Sequence, residues 1–103
     1  MKTIFYAFTL LLLATGAHAA DIEAGKAKVQ EVCAACHGAG GVSVSDTLPN
    51  LAGQRAAYIE NQLKALKDGS RKNAIMNAIA SQLSAADIAN VAAFFASQPA
   101  TIV

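Results

Sequence analysis

The stretch Cys33-Ala34-Ala35-Cys36-His37 decides how the rest of this 103-residue chain is read. Its spacing is C-x-x-C-H, the attachment signature of a c-type haem. Each cysteine sulfur adds to one vinyl group of the porphyrin and forms a thioether. On a helical turn, positions three apart share a face, so both sulfurs reach the same edge of the macrocycle. The adjacent histidine places an imidazole nitrogen on the iron. In such a site the cofactor carries the redox chemistry, while the polypeptide supplies binding, orientation and electronic tuning.

Three other uses of a C-x-x-C pair compete with this one. A thioredoxin-like dithiol belongs in a βαβ pattern, and no strand pattern is visible in this sequence. A structural zinc site needs about four Cys or His ligands. Beyond the N-terminal leader described next, only Cys33, Cys36 and His37 are available. A disulfide between residues three apart closes too small a loop to stabilise much.

The N-terminus has the build of a secretory signal peptide. Lys2 supplies the positive region, Thr3 to Gly16 is apolar, and Ala17-His18-Ala19 fits the small-x-small pattern before a cleavage site. The expected organisation is a cleaved leader over 1–19 and a single mono-haem domain over 20–103. The alternative is a retained membrane anchor, but the apolar run is short for a span of about 20 residues. No stable membrane insertion is expected once the leader is removed. Because c-type haem is attached outside the cytoplasm, export and the haem motif agree. In a bacterium they point to the periplasm.

Composition narrows the function further. The full chain carries eight Lys and Arg against seven Asp and Glu, and Lys2 leaves with the leader. The remaining domain is formally neutral, which argues against a nucleic-acid binder. It is small and has a marginal core of its own. Its aromatic side chains are Tyr58, Phe94 and Phe95, with no tryptophan. Small scaffolds usually need a staple. A buried porphyrin would provide one.

Asp21 is a suitable N-cap for a first helix from about Ile22 to Ala35, with Glu23 in the first turn, where the helix dipole favours an anion. Gly25 costs that helix about 1 kcal/mol relative to alanine and permits another helix to approach closely. Gly38, Gly40 and Gly41 break the helix, and Ser43 to Asn50 reads as a polar loop tied to a ligand. Ile59, Leu63 and Leu66 have the i, i+4, i+7 spacing of an apolar face in a helix from about Arg55 to Lys67, stopped at Gly69. A short apolar helix covers Ala74 to Ala80 and contains Met76. Ser84-Ala85-Ala86-Asp87 opens the last helix as an S-x-x-D capping box, and Ser97-Gln98-Pro99 closes it.

Haem iron in an electron carrier commonly has two protein ligands, and His/Met is the c-type pairing. With the leader removed, His37 is the only histidine and Met76 the only methionine. A thioether is a soft ligand that favours ferrous iron. A methionine in an apolar helix is more often a core filler. The demand for a sixth ligand raises Met76 above that reading, with an open sixth position as the competing arrangement. Lys67 and Lys72 are substitutes for a lost methionine at high pH.

With these residues in place, the chain resembles a class I c-type cytochrome from about Asp21 to Gln98. The resemblance rests on Gly25 and Val29, Cys33 to Gly38, Pro49-Asn50-Leu51-Ala52-Gly53-Gln54, Met76, and Leu83-Ser84-x-x-Asp87-Ile88 leading to Phe94-Phe95. It is most similar to one half of the di-haem periplasmic cytochromes of the c-four type. The Gly53-Gln54, Tyr58 and Gly69-x-Arg71 pattern before Met76 recurs there. The resemblance implies an all-α fold wrapped around one haem c, with the first and last helices crossing near Gly25, Val29, Val91 and Phe94. It implies that the Pro49 carbonyl accepts a hydrogen bond from His37. Arg71, Gln54, Tyr58 and Gln62 are the possible partners of the haem carboxylates. Val29 departs from the family pattern, where an aromatic residue is common.

The function expected is that of a periplasmic one-electron carrier, not an enzyme. Its partners would be other redox proteins met in weak, transient complexes, such as a quinol-oxidising complex, a terminal oxidase or a periplasmic oxidoreductase. The rival reading is a haem c subunit of a periplasmic redox enzyme complex. A third is a gas sensor or peroxidase with an open iron position.

Overall fold

In the computed structural model, the described residues are 19–100. The leader expected over 1–19 lies outside them, apart from Ala19. Five helices follow in order: α1 Ile22–Val32, α2 Ala34–His37, α3 Ala56–Asp68, α4 Ala74–Ser81 and α5 Ala85–Ser97. No strand occurs among the described residues.

The first helix starts where the N-cap chemistry places it. Asp21 Oδ1 accepts a hydrogen bond from the Ala24 amide at 3.0 Å, and the Asp21 amide donates to Asn90 Oδ1 on α5 at 2.8 Å. The expected continuous helix to Ala35 is instead two pieces. The Cys33 amide still bonds the Val29 carbonyl at 2.9 Å, but the Cys33 φ swings to −114° and the helix breaks there. Bonding resumes one turn on, with the Cys36 and His37 amides both reaching the Cys33 carbonyl.

α1 crosses α5 at very short range. A Cβ on Gly25 would lie 2.0 Å from the Asn90 carbonyl oxygen and 3.1 Å from Phe94 Cβ, so only glycine fits between the two backbones. Val29 is fully buried beside this crossing, together with Ile88, Val91, Ala92, Phe94 and Phe95. The two phenylalanine rings lie 5.7 Å apart at 53°, a tilted geometry that aromatic pairs favour. α5 opens with the expected capping box. Ser84 Oγ accepts from the Asp87 amide at 3.0 Å, and Asp87 Oδ2 accepts from the Ser84 amide at 2.9 Å.

α3 begins one residue later than the spacing suggests, with Arg55 in extended conformation as its cap, and ends at Gly69 in the left-handed region (φ 82°). Its stripe of Ile59, Leu63 and Leu66 is buried as the period predicts. It packs against both α4 and α5. Lys67 Nζ donates to the Leu83 carbonyl, which ties the end of α3 to the turn before α5. Between α2 and α3 the chain runs as a loop that holds itself. Asn50 Oδ1 accepts from the Ser43 amide at 2.6 Å, and the Gly41 carbonyl accepts from the Leu51 and Ala52 amides at 2.7 and 3.0 Å. Gly41 has φ 83°, and a Cβ there would meet the Ala52 amide nitrogen and the Phe95 ring. No single described helix is long and apolar enough to cross a membrane.

Candidate haem site

A cavity of about 460 Å³ opens among the α1–α2 bend, the Thr47–Leu51 segment, α3 and α4. That volume lies within the range of about 300–1,000 Å³ for small-molecule and cofactor sites. Much of its wall is apolar: Val32, Leu48, Leu51, Ile59, Leu63, Leu66, Ile75 and Ile79 all contribute. Cys33, Cys36, His37 and Met76 line the same space. Two separate parts of the sequence, Cys33–His37 and Met76, thus deliver two thiols, an imidazole and a thioether to one apolar chamber.

The imidazole is oriented by the loop. His37 Nδ1 lies 3.0 Å from the Pro49 carbonyl oxygen. A carbonyl can only accept, so Nδ1 carries the proton and Nε2 keeps its lone pair. That is the tautomer a metal ligand needs, and such a bond raises the basicity of the ligating nitrogen. His37 is buried, Met76 is partly buried against the core, and Cys33 is half-buried while Cys36 is exposed. Burial pushes the Cys33 thiol up to about 11, with nearby Lys28 pulling weakly the other way. Before any haem is attached, Cys33 is therefore a neutral thiol at physiological pH.

The four residues expected near the haem carboxylates also line the cavity. Arg71 Nη1 donates to Gln62 Oε1 at 3.0 Å, so the guanidinium is already oriented by α3. Gln54 Oε1 accepts from the Arg55 amide at 2.9 Å at the start of α3. Tyr58 is about half exposed, at 52%. Among the described lining residues there is no Asp, Glu or Lys, and Arg71 is the one fixed positive charge. An anionic group at the mouth of the cavity meets that charge and no opposing carboxylate. Neither Lys67 nor Lys72 lines the cavity. The Lys67 ammonium is held on the Leu83 carbonyl, so it is poorly placed to replace Met76.

Sequence reasoning passed over several lining residues, including Asn73, Ile75 and Ile79. Asn73 was findable, since an asparagine directly before an apolar helical run is an N-cap signal. Its Oδ1 accepts from the Met76 amide at 3.0 Å. Ile75 is 73% exposed at the cavity rim, which no periodicity predicts. Among the described residues no three His, Cys, Asp or Glu side chains converge as a cage for a bare metal ion. The donor set instead suits iron held in a planar macrocycle: one imidazole lone pair, one soft sulfur, two thiols for thioether bonds and apolar walls for the ring faces.

A helical shell around such a chamber, with the C-x-x-C-H segment in its wall, defines a c-type cytochrome domain of class I. Comparison with known proteins agrees. A family model described as cytochrome C oxidase, cbb3-type, subunit III matches residues 20–95, and the chain belongs to this c-type cytochrome family. Cytochrome c4 of Pseudomonas aeruginosa is 43% identical over 104 residues, covering 99% of this chain and 51% of that protein. Cytochrome c-554(548) of Halomonas halodenitrificans is 45% identical over 83 residues, covering 78% of this chain and 99% of its own length. The solved structure of Acidithiobacillus ferrooxidans cytochrome c4 superposes with a TM-score of 0.72 at 35% identity, covering 82% of this chain and 53% of that one. The chain therefore spans about half the length of the cytochrome c4 relatives and matches one cytochrome domain of a di-haem protein. The cofactor of the domain is haem c with its iron.

Proposed function

We propose that this protein is a periplasmic one-electron carrier built on one haem domain over 20–103, exported by a leader over 1–19. One observation carries the reading: a single apolar chamber is lined at once by Cys33, Cys36, His37 and Met76. In this proposal Cys33 and Cys36 hold the haem by thioethers, and His37 and Met76 are the axial ligands. The bound haem supplies a one-electron ferric–ferrous couple. Everything else belongs to the polypeptide. The Pro49 carbonyl fixes the His37 ring, the walls from α3 and α4 exclude water, and Arg71 with Gln62, Gln54 and Tyr58 receives the carboxylates. With His37 and Met76 both holding the iron, no substrate would need to reach it, and the function would be transfer rather than catalysis.

The partners in this reading are other redox proteins met in weak, brief complexes, as small electron-transfer interfaces allow. A quinol-oxidising complex, a terminal oxidase and a periplasmic oxidoreductase are the classes considered. The cytochrome c4 relatives support the carrier reading over that of an enzyme subunit.

The test is a pair of visible spectra on protein made in a host with haem-attachment machinery, together with its mass. A low-spin spectrum in both redox states and a mass of apoprotein plus one haem are expected. Rapid carbon monoxide binding by the native ferrous protein at neutral pH would instead show an open iron position and overturn the carrier reading.

A further inference from the structure

The link between α3 and α4 is tied back to α3 by the Arg71 amide, which donates to the Ala65 carbonyl at 3.1 Å, and it is tied to α4 by one side chain. Asn77 sits at the fourth position of α4, immediately after Met76, and is half-buried. Its Nδ2 donates to the Leu66 carbonyl at 2.8 Å and to the Arg71 carbonyl at 2.8 Å. Its Oδ1 accepts from the Asn73 amide at 2.9 Å. An asparagine amide has two N–H donors and one carbonyl oxygen. Here both donors and the acceptor are spent on backbone of the segment Leu66 to Asn73. Its own amide closes the first helical bond of α4 on the Asn73 carbonyl at 2.7 Å, and Asn73 in turn caps the Met76 amide.

Asparagine is a poor residue for the interior of a helix, because its side chain competes for backbone groups. In this place the competition is productive. The Leu66 carbonyl is one of the four at the end of α3 that lack a helical partner, and Asn77 supplies it. The same amide fixes Arg71, whose guanidinium is already held on Gln62. The end of α3, the Arg71 backbone and the start of α4 therefore move as one unit, and Met76 lies inside that unit.

We propose that Asn77 is a positioning residue: by closing the Leu66–Asn73 link onto α4, it fixes the placement of the Met76 sulfur at the haem iron. This rests on the reading of Met76 as the sixth ligand. Without the clamp, α4 keeps its apolar packing on α3 but loses the hydrogen bonds that fix its start against the link, and the thioether leaves the iron more often.

The experiment measures imidazole uptake by the ferric holoprotein together with the sulfur-to-iron charge-transfer band. Asn77→Ala is expected to keep the band but to tighten apparent imidazole binding about tenfold, the scale of one or two lost hydrogen bonds. Asn77→Ser, which retains a single donor, should fall between it and the wild type, and it decides the matter where Asn77→Ala yields no holoprotein. Ser84→Ala serves as the control, because it weakens the cap of α5 without touching the link. If Ser84→Ala raises imidazole binding as much as the Asn77 variants do, general loosening explains the effect and the clamp is refuted. Unchanged imidazole binding in both Asn77 variants also overturns it. Met76→Ala separates the two layers. If that variant leaves the ferric spectrum unaltered, the ligand reading has failed. If it removes the band while the Asn77 variants behave as wild type, the ligand stands and the clamp alone has failed.

Discussion

Where α1 crosses α5, Gly25 lets two backbones touch and Val29, Val91 and Phe95 fill the contact completely. Where α3 faces α4, the same alanine-rich chain leaves a cavity of about 460 Å³. The first region is finished by its own side chains. The second has apolar walls, yet Ile75 and Tyr58 stay exposed at 73% and 52%. The difference separates two tasks within one small shell. The crossing is closed by apolar packing, while the cavity side is bordered by polar links: Asn77 between α3 and α4, and the Gly41–Leu51 bonds and the His37–Pro49 contact in the loop before α3. A porphyrin inserted there completes the core that the sequence lacks.

The largest effect should come from removing the attachment chemistry. Cys33→Ala with Cys36→Ala is expected to abolish stable holoprotein, read as loss of haem from denatured protein on a gel. If the double variant retained haem through denaturation, the thioether assignment would be wrong. The comparison also predicts that its residual helical content, measured by circular dichroism, lies mainly in α1 and α5.

Next in size is the Met76 sulfur, the proposed sixth ligand. Met76→Ala should lower the reduction potential by an amount on the order of 100 mV, a modest part of the ~0.8 V range that axial ligands set. The direction follows from losing a ligand that prefers ferrous iron and from admitting water to the site. Potentiometry and the loss of the sulfur-to-iron band check it. A variant with an unchanged potential would place Met76 among ordinary core residues.

Gly25→Ala probes the other region. The new Cβ meets the Asn90 carbonyl at 2.0 Å, and neither atom is at the end of a flexible chain. The cost should be about 1–3 kcal/mol, even though alanine is the better helix former. The charge-transfer band and potential should hardly move, because the strain lies away from the cavity. If Gly25→Ala shifted the potential as far as Met76→Ala, the two regions would not be independent. If denaturant midpoints rose, the crossing would not be tight.

Much of the crossing was legible because its determinants are local. A glycine in a helix and a capping box each mark themselves by spacing, as does the i, i+4, i+7 stripe that α3 turns toward α4 and α5. So did Cys33, Cys36 and His37, whose chemistry requires adjacency in sequence. The break at Cys33 was not legible, since no Gly or Pro lies between Lys26 and His37 and the break lies in one φ angle. Nor were the polar links. Asn77 reaches the Leu66 carbonyl eleven positions back, and a backbone carbonyl carries no signature in the sequence. Lys67 looked like a spare ligand because it is near Met76 in sequence, but its partner is the Leu83 carbonyl.

The smallest expected effect concerns the cap that orients α5 within the crossing. The Ser84 amide donates to Asp87 Oδ2 and holds the Asp87 carboxyl below its ordinary value; partial burial opposes this, and the Ser84 hydroxyl and the charges of Lys28 and Lys67 add smaller pulls downward. A depressed carboxyl stabilises the fold above the unfolded-state pKa of about 3.9, and that contribution is lost as pH falls through the lower folded value. Asp87→Asn keeps the shape and loses the charge, so it should be less stable than the parent at pH 6, by roughly 0.5 kcal/mol or less for so accessible a group. The gap should narrow as both proteins are taken below the unfolded-state value of about 3.9 toward pH 3, because the parent's carboxyl then takes up protons, first in the unfolded chain and then in the folded one. Asp68 is also depressed, chiefly by hydrogen bonds from Ser70, but it titrates in both proteins and cancels in the difference. Denaturant midpoints at several pH values measure the gap. A gap that stayed constant from pH 6 to pH 3 would mean that the cap acts by shape alone and that the charge on Asp87 does nothing for the crossing.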